Sequence, residues 1–194
     1  MEFFENELYH IYNRGNNRQP IFFNNENYLF FLRKIRKYIL PHCDIICYCL
    51  MPNHFHFLIA ADNRAIQTKN FGGTEKNLLS EGFKSLLSSY AQAINKQNHT
   101  TGSLFQQNTK AKLLSSQDIA SIAFHYIHQN SMKAGLSKKM EDWDYSSFKD
   151  YIGQRNGTLC NISLGYSLLD LNLKTLYQDS YDIIIDDTTL NNIF

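Results

Sequence analysis

Residues 54–56 of this 194-residue chain read His-Phe-His, and two imidazoles at that spacing can hold one divalent metal. Side chains alternate across a β-strand, so on a strand His54 and His56 share one face while Phe55 and Phe57 share the other. Ordinary hydrogen-bonded histidines fit the same pattern. A second group lies at Ile119, Ile122, Ala123, Tyr126 and Asn130, which recur at helical spacing and so share a helix face. Tyr126 and Asn130 stand one turn apart. On a helix packed over the histidine face, the phenol and an amide oxygen can both reach the imidazoles, which makes Asn130 a candidate third metal ligand. Judged from the residues alone, Tyr126 reads first as a core aromatic with a locally satisfied hydroxyl.

These groups need a sheet and a helix to carry them. Residues 7–13 alternate and predict a strand, followed by a loop at Arg14-Gly15-Asn16-Asn17. Asn24 or Asn25 can cap a helix that runs to about Leu40 and stops at Pro41, with Tyr28, Leu29, Leu32, Ile35 and Ile39 as its apolar stripe. Residues 43–51 and 54–60 predict two strands joined by Pro52-Asn53, a hairpin because the loop is so short. A polar stretch (61–74) precedes a long helix marked by Leu78, Leu79, Phe83, Leu86, Leu87, Tyr90 and Ile94, broken by Thr101-Gly102. Residues 103–114 predict a fourth strand, and Ser115 or Ser116 caps a helix to about Asn130, with Asp118 well placed near its N-terminus. The order strand–helix–strand–strand–helix–strand predicts an α+β, ferredoxin-like (RRM-like) antiparallel sheet with helices on one face. That gives a catalytic domain over 1–135 and a C-terminal extension over 136–194, packing on or trailing from the core. Within the extension, 141–151 reads as loop and short helix, 167–177 as a helix, and the last dozen residues as disordered or as a strand at 182–185.

Composition bounds the class. Apolar residues make up 43% and charged residues 19%, which predicts a folded chain rather than a disordered one. Residues 1–151 carry 17 Lys and Arg against 13 Asp and Glu, whereas 152–194 carry 2 against 5. A mildly basic body with an acidic end permits a nucleic-acid partner without requiring one. Cys43, Cys47 and Cys49 fall at alternate positions of one predicted strand and are expected on one face as small hydrophobes, a Cys-x-Cys metal site being the alternative. Glu2, Glu5 and Glu7 stand where a secretory signal would be basic, and no apolar run approaches the ~20 residues of a membrane span. A cytoplasmic protein with reduced thiols and no membrane partner is expected.

Five segments carry a family resemblance: YHIYNRGNNRQPIF (9–22), CLMPNHFHFLI (49–59), GSLFQQNTKAKLL (102–114), FHYIHQNSMKAGL (124–136) and WDYSSFKDYIG (143–153). In this order they resemble the single-tyrosine transposases of bacterial insertion sequences, in the REP-associated branch. The resemblance implies that His54 and His56 form the metal pair, that Tyr126 is the nucleophile, and that Asn130 helps complete the metal site. It implies Mg²⁺ or Mn²⁺ as cofactor and single-stranded or hairpin DNA as partner. It also implies cleavage near hairpins through a 5′-phosphotyrosine link that is rejoined without a high-energy cofactor, by a monomer or a homodimer. The chain departs from the branch at Ser131, where proline is usual, and at Lys133, where arginine is common.

Candidate DNA contacts are Arg14 and Arg18 in the Gly/Asn-rich loop, and Lys110, Lys112 and Lys133. Tyr12 and Phe105 are aromatics that would either stack on unpaired bases or join the core. Two alternatives stand beside the nicking and rejoining enzyme. One is a non-catalytic hairpin-binding protein of the same fold, and the other a metal hydrolase that activates water instead of a tyrosine.

Overall fold

Strand β1 (Glu7–Arg14) runs through the interior of a four-stranded sheet in the computed structural model of the chain, which describes residues 1–186, 190–191 and 193–194. Helix α1 (Asn25–Tyr38) follows, started by the Asn24 side chain, which accepts from the Asn27 N–H. Strands β2 (Asp44–Met51) and β3 (His54–Ala61) form the expected hairpin, with Met51 paired to His54 across the two-residue turn. A small exposed hairpin, β4 (Thr68–Phe71) and β5 (Thr74–Asn77), then leads into α2 (Leu78–Asn98). Strand β6 (Lys110–Leu113) closes the sheet, whose order is β2-β3-β1-β6 with every described pairing antiparallel. This is the ferredoxin-like arrangement that the element order predicts.

The sheet is covered on both sides. Tyr9, Ile11, Leu50, Phe55, Phe57 and Ile59 belong to the same buried cluster as Phe31 and Ile35 of α1 and Phe83, Leu86 and Tyr90 of α2. The two crossover helices therefore share one face, and α3 (Gln117–Lys133) takes the other, where Ala120, Ala123, Phe124 and Ile127 meet Cys47, Cys49, Met51 and Leu58. Ser116 caps α3, its hydroxyl accepting from the Ile119 N–H at 3.2 Å.

Several local expectations give way to the structure. A register shift between Ile45 and Cys47 inserts one residue in β2 and reverses its alternation, so Cys43 lies in the α1/α2 cluster while Cys47 and Cys49 lie beneath α3. The three thiols do not share a face. In α1, Phe31 is fully buried and Leu29 is 38% exposed, so the stripe runs one position away from where the leucines suggested. Of the strand predicted at 103–114 only 110–113 pairs as one. Phe105 makes an isolated bridge to Gly15, and the stretch between is loop. The helix predicted at 167–177 is two helices, α5 (Ile162–Leu168) and α6 (Leu176–Asp182), and 167–177 contains the break between them. Residues 182–185 form no strand. The expected disorder of the last dozen residues falls partly on 187–189 and 192, outside the described residues.

Beyond α3 the chain lies along the open edge of β2. The Leu50 N–H donates to the Tyr145 carbonyl at 2.9 Å and the Ser147 N–H to the Tyr48 carbonyl at 3.0 Å, which satisfies groups an edge strand would otherwise expose. The Trp143 indole donates to the Leu50 carbonyl at 3.0 Å. After short helix α4 (Phe148–Tyr151), Arg155 grips Asp150 with two nitrogens at 2.7 and 2.8 Å and locks the segment down.

Helices α1 and α2 meet closely at Gly82. A Cβ there would sit 2.2 Å from the Tyr38 carbonyl oxygen, which belongs to backbone and cannot rotate away. Gly82→Ala is expected to destabilise the fold by about 1–3 kcal/mol despite alanine's better helix propensity, read as a lowered urea midpoint with an unchanged slope.

Candidate functional site

Register decides what faces α3. Tyr12 pairs with His56 on one side and Lys110 on the other, Arg14 pairs with His54, and His10 pairs with Leu58 and Lys112. Directly paired residues point the same way, so His10, Tyr12, Arg14, His54, His56, Lys110 and Lys112 form a polar stripe on the α3 side. Over it lies a cavity of about 340 Å³, lined by Tyr12, Arg14, His54, His56, Lys110 and Tyr126, with Phe194 and the amides of Gln106 and Asn108 along its walls.

The structure brings the predicted phenol to the predicted imidazoles. The rings of His54 and His56 are 5.0 Å apart and perpendicular, and the Tyr126 ring stands 5.7 Å from that of His56, also edge-on. Asn130 is one turn along α3, buried, with its amide nitrogen donating to the Tyr126 carbonyl at 2.9 Å, and it does not line the cavity. Among the basic candidates, Arg14 and Lys110 line the cavity, and Lys112 lies next along β6. Arg18 and Lys133 do not line it. Arg18 sits in the turn after β1 with φ 59°, and Lys133 ends α3.

Three participants were not singled out from the sequence. The Asn53 side-chain oxygen lies 2.6 Å from His54 Nδ1, while its amide nitrogen donates to the Arg18 carbonyl at 3.2 Å. That second bond orients the amide, so His54 Nδ1 carries the proton and His54 Nε2 is a bare lone pair. His10 is fully buried, with Nε2 at 2.8 Å from His56 Nδ1 and Nδ1 at 2.9 Å from the Ile193 carbonyl. Phe194 closes one side, its ring 5.2 Å from that of Tyr126 and 5.0 Å from that of Tyr12. His10 was within reach of sequence reasoning, because it alternates with Tyr12 and so belongs to the same face. Phe194 and Ile193 sit too far along the chain for any local pattern to bring them here.

The electrostatics are those of a half-enclosed pocket with a basic rim and, among the described residues, no Asp or Glu in its lining. Burial pushes the Tyr126 phenol up to about 12, opposed by the Asn130 amide beside it. Burial, helped by the Arg14 charge, holds His54 down at about 4, and burial holds His10 at about 4 and His56 well below its ordinary value. The rings are therefore neutral, the form that binds metals. His56 Nε2 is buried and has no hydrogen-bond partner among the described residues. An unpartnered imidazole nitrogen beside a second free one fits a divalent cation. Among the described residues, however, no three His, Cys, Asp or Glu side chains gather around one metal-sized space. An ion held here would lean on two imidazoles and on oxygens from elsewhere. Cys49 lies beneath α3 with its thiol pushed up to about 12 by burial, which favours the small-hydrophobe reading over a Cys-x-Cys metal pair.

The buried histidines set an acid limit on the fold. In the unfolded chain they take up protons near pH 6.5, while in the folded chain His10 and His125 do so only near 4, and His56 and His128 are held well below their ordinary value, in each case chiefly by burial. The unfolded state thus binds more protons as pH falls below about 6.5, and stability is lost in that direction. Urea unfolding is expected to show a midpoint that falls as pH drops from about 6.5 to 4.5, the unfolding free energy decreasing by up to about 1.4 kcal/mol per pH unit for each fully buried ring.

No family model matches the chain, and no curated protein does. Among solved structures, a REP-associated tyrosine transposase bound to a REP hairpin superposes with a TM-score of 0.60, covering 84% of this chain and 93% of that one at 13% identity. The chain thus has the fold of that transposase, an antiparallel sheet with helices on both sides, arrived at through a sequence that shares little with it.

Proposed function

We propose that the protein is a DNA nicking and rejoining enzyme of the tyrosine-transposase kind, acting on single-stranded DNA next to a hairpin. The observation that carries this reading is the Tyr126 ring standing 5.7 Å from the ring of His56, whose Nε2 has no partner among the described residues, in one cavity rimmed by Arg14 and Lys110. The solved neighbour's hairpin supports a DNA partner for this chain. Helix α3 and the histidine strand belong to one chain, so a monomer suffices.

In the proposed reaction the Tyr126 hydroxyl attacks the scissile phosphorus. An O–P bond forms to the phenol oxygen, the P–O3′ bond breaks, the phenol gives up its proton, and the departing 3′-oxygen takes one up. The phosphotyrosine link keeps the energy of the broken bond, so a returning 3′-hydroxyl reverses the step. His54 and His56 would hold a divalent ion, Mg²⁺ or Mn²⁺, which would supply positive charge to the phosphate oxygens. Asn130, outside the cavity lining, would have to turn inward to serve as the third donor. Arg14 and Lys110 bind the strand's phosphates, and the aromatic walls of Tyr12 and Phe194 exclude water. A phenol held near 12 by burial is almost wholly protonated at neutral pH, so it requires activation on substrate binding.

Incubation with a hairpin-bearing single strand and Mn²⁺ is expected to give a covalent protein–DNA adduct that denaturing gels retain. Tyr126→Phe removes the attacking oxygen and should abolish the adduct while hairpin binding persists. An adduct that survives in Tyr126→Phe would sink the assignment, and binding without any adduct in the native chain would leave a DNA-binding protein of the same fold. In single turnover the rate should climb with pH between 6 and 9, approaching tenfold per unit, because the deprotonated fraction of a group near 12 grows tenfold per unit. Arg14→Ala and Lys110→Ala should each weaken binding and lower the slope of log affinity against log salt by about one. Lys133→Ala, outside the cavity, should change the slope less.

A further inference from the structure

Two neutral imidazoles joined by a hydrogen bond cannot play the same part, because one ring nitrogen must donate and the other accept. His10 Nδ1 lies 2.9 Å from the Ile193 carbonyl oxygen, which only accepts, so the His10 proton sits on Nδ1. His10 Nε2 is then the acceptor, and the 2.8 Å contact to His56 Nδ1 places the His56 proton on that nitrogen. What remains on His56 is a bare Nε2, the buried ring atom that has no partner among the described residues. The opposite tautomer would leave a buried N–H donor with nothing to accept it and two lone pairs facing each other across the His10–His56 contact, both costly.

We propose that His10 is a positioning residue that holds His56 in its Nδ1–H tautomer, so that Nε2 is the nitrogen offered to a cation in the cavity. The placement follows from strand geometry. His10 is paired with Leu58, two residues from His56, and this diagonal on one sheet face is within reach of two ring side chains. The rings stack, with centroids 5.1 Å apart and planes 22° apart, which fixes the rotation of His56 as well as its proton. His54 gets the same service from a different acceptor, the Asn53 amide oxygen, oriented by the bond its amide nitrogen donates to the Arg18 carbonyl. Each imidazole of the pair is thus held from behind by one polar group, the arrangement by which metal-binding histidines are commonly oriented.

The inference rests on the proposed metal role of His56, but its first readout needs no metal. Two-bond ¹H–¹⁵N correlation spectra of the ion-free full chain report which nitrogen of each ring is protonated. His56 is expected as the Nδ1–H form in the native chain. His10→Gln sets an amide oxygen where Nε2 stood and should keep that form, whereas His10→Asn, too short to reach, should lose it. Mn²⁺ titration should then find His10→Gln close to native and His10→Asn weaker by about 10–100-fold. Since both variants bury an amide in the same place, loss of packing alone would not separate them. A native His56 in the Nε2–H form, or equal Mn²⁺ affinity in the two variants, overturns the inference. The expected tautomer with no Mn²⁺ binding even in the native chain would instead remove the metal from the proposed function and leave the role of His10 in fixing the tautomer standing.

Discussion

Side-chain alternation along β3, held in register by both neighbours, is the constraint on which the site depends. His54, His56 and Leu58 face α3 while Phe55, Phe57 and Ile59 face α1 and α2, and a slip of one residue would exchange the two sets. The exchange would bury imidazoles against an aromatic core and turn phenylalanines into the cavity. Two features prevent it. The two-residue turn at Pro52-Asn53 fixes β3 against β2, and the eight-residue pairing with β1 fixes it from the other side. Folding and function therefore lean on the same register, since the apolar set that drives burial on one face aims the polar set on the other.

Charge is distributed sparingly around the cavity. Its described lining holds two imidazoles, two cationic side chains, two aromatic hydroxyls and several amides, and no Asp or Glu side chain. A site that held a cation with two or three carboxylates would be neutralised in advance and would repel a phosphate. Here the attraction runs the other way: neutral rings ask for a cation, the basic rim asks for an anion, and a phosphate with its counterion satisfies both. Among the described residues no Asp or Glu lines the cavity to serve as a fixed base, and burial, opposed by the Asn130 amide, is the main influence on the phenol's protonation in the free protein.

Much of this could be read before any coordinates. The face shared by His54 and His56, the helix that carries Tyr126, the Asn24 and Ser116 caps and the tight turn all follow from periodicities of two and 3.6 and from capping chemistry. What escaped depends on single insertions or on distant chain. The extra residue in β2 reverses the side of Cys43 without any mark in the residue types around it. Residues 103–109 alternate poorly, and most of them follow the sheet edge as loop because Phe105 is drawn into the core beside Tyr90. His10 could be placed on the right face from β1 alone, but its contact with His56 requires the β1–β3 register, and its contact with Ile193 requires the chain to return across a sequence separation of 183.

The return of that chain also explains why Tyr126 can be placed accurately. One face of α3 lies on the sheet through Ala123 and Ile127, and the opposite face is tied to the later segments: the Gln129 amide donates to the Ser180 and Ile183 carbonyls at 2.7 and 3.1 Å, and His128 Nε2 lies 2.8 Å from the Ser147 hydroxyl. Ser147 in turn is bound to the Tyr48 backbone N–H, on the edge strand of the same sheet. The helix is thus clamped between the β2 edge and α6, and a rigid-body tilt of α3 would break buried hydrogen bonds on both sides. A phenol on such a helix has little freedom beyond its own two torsions. In the proposed reaction the phosphate would then have to come to the tyrosine, which makes the unpaired strand, rather than the protein, the mobile partner of that proposal.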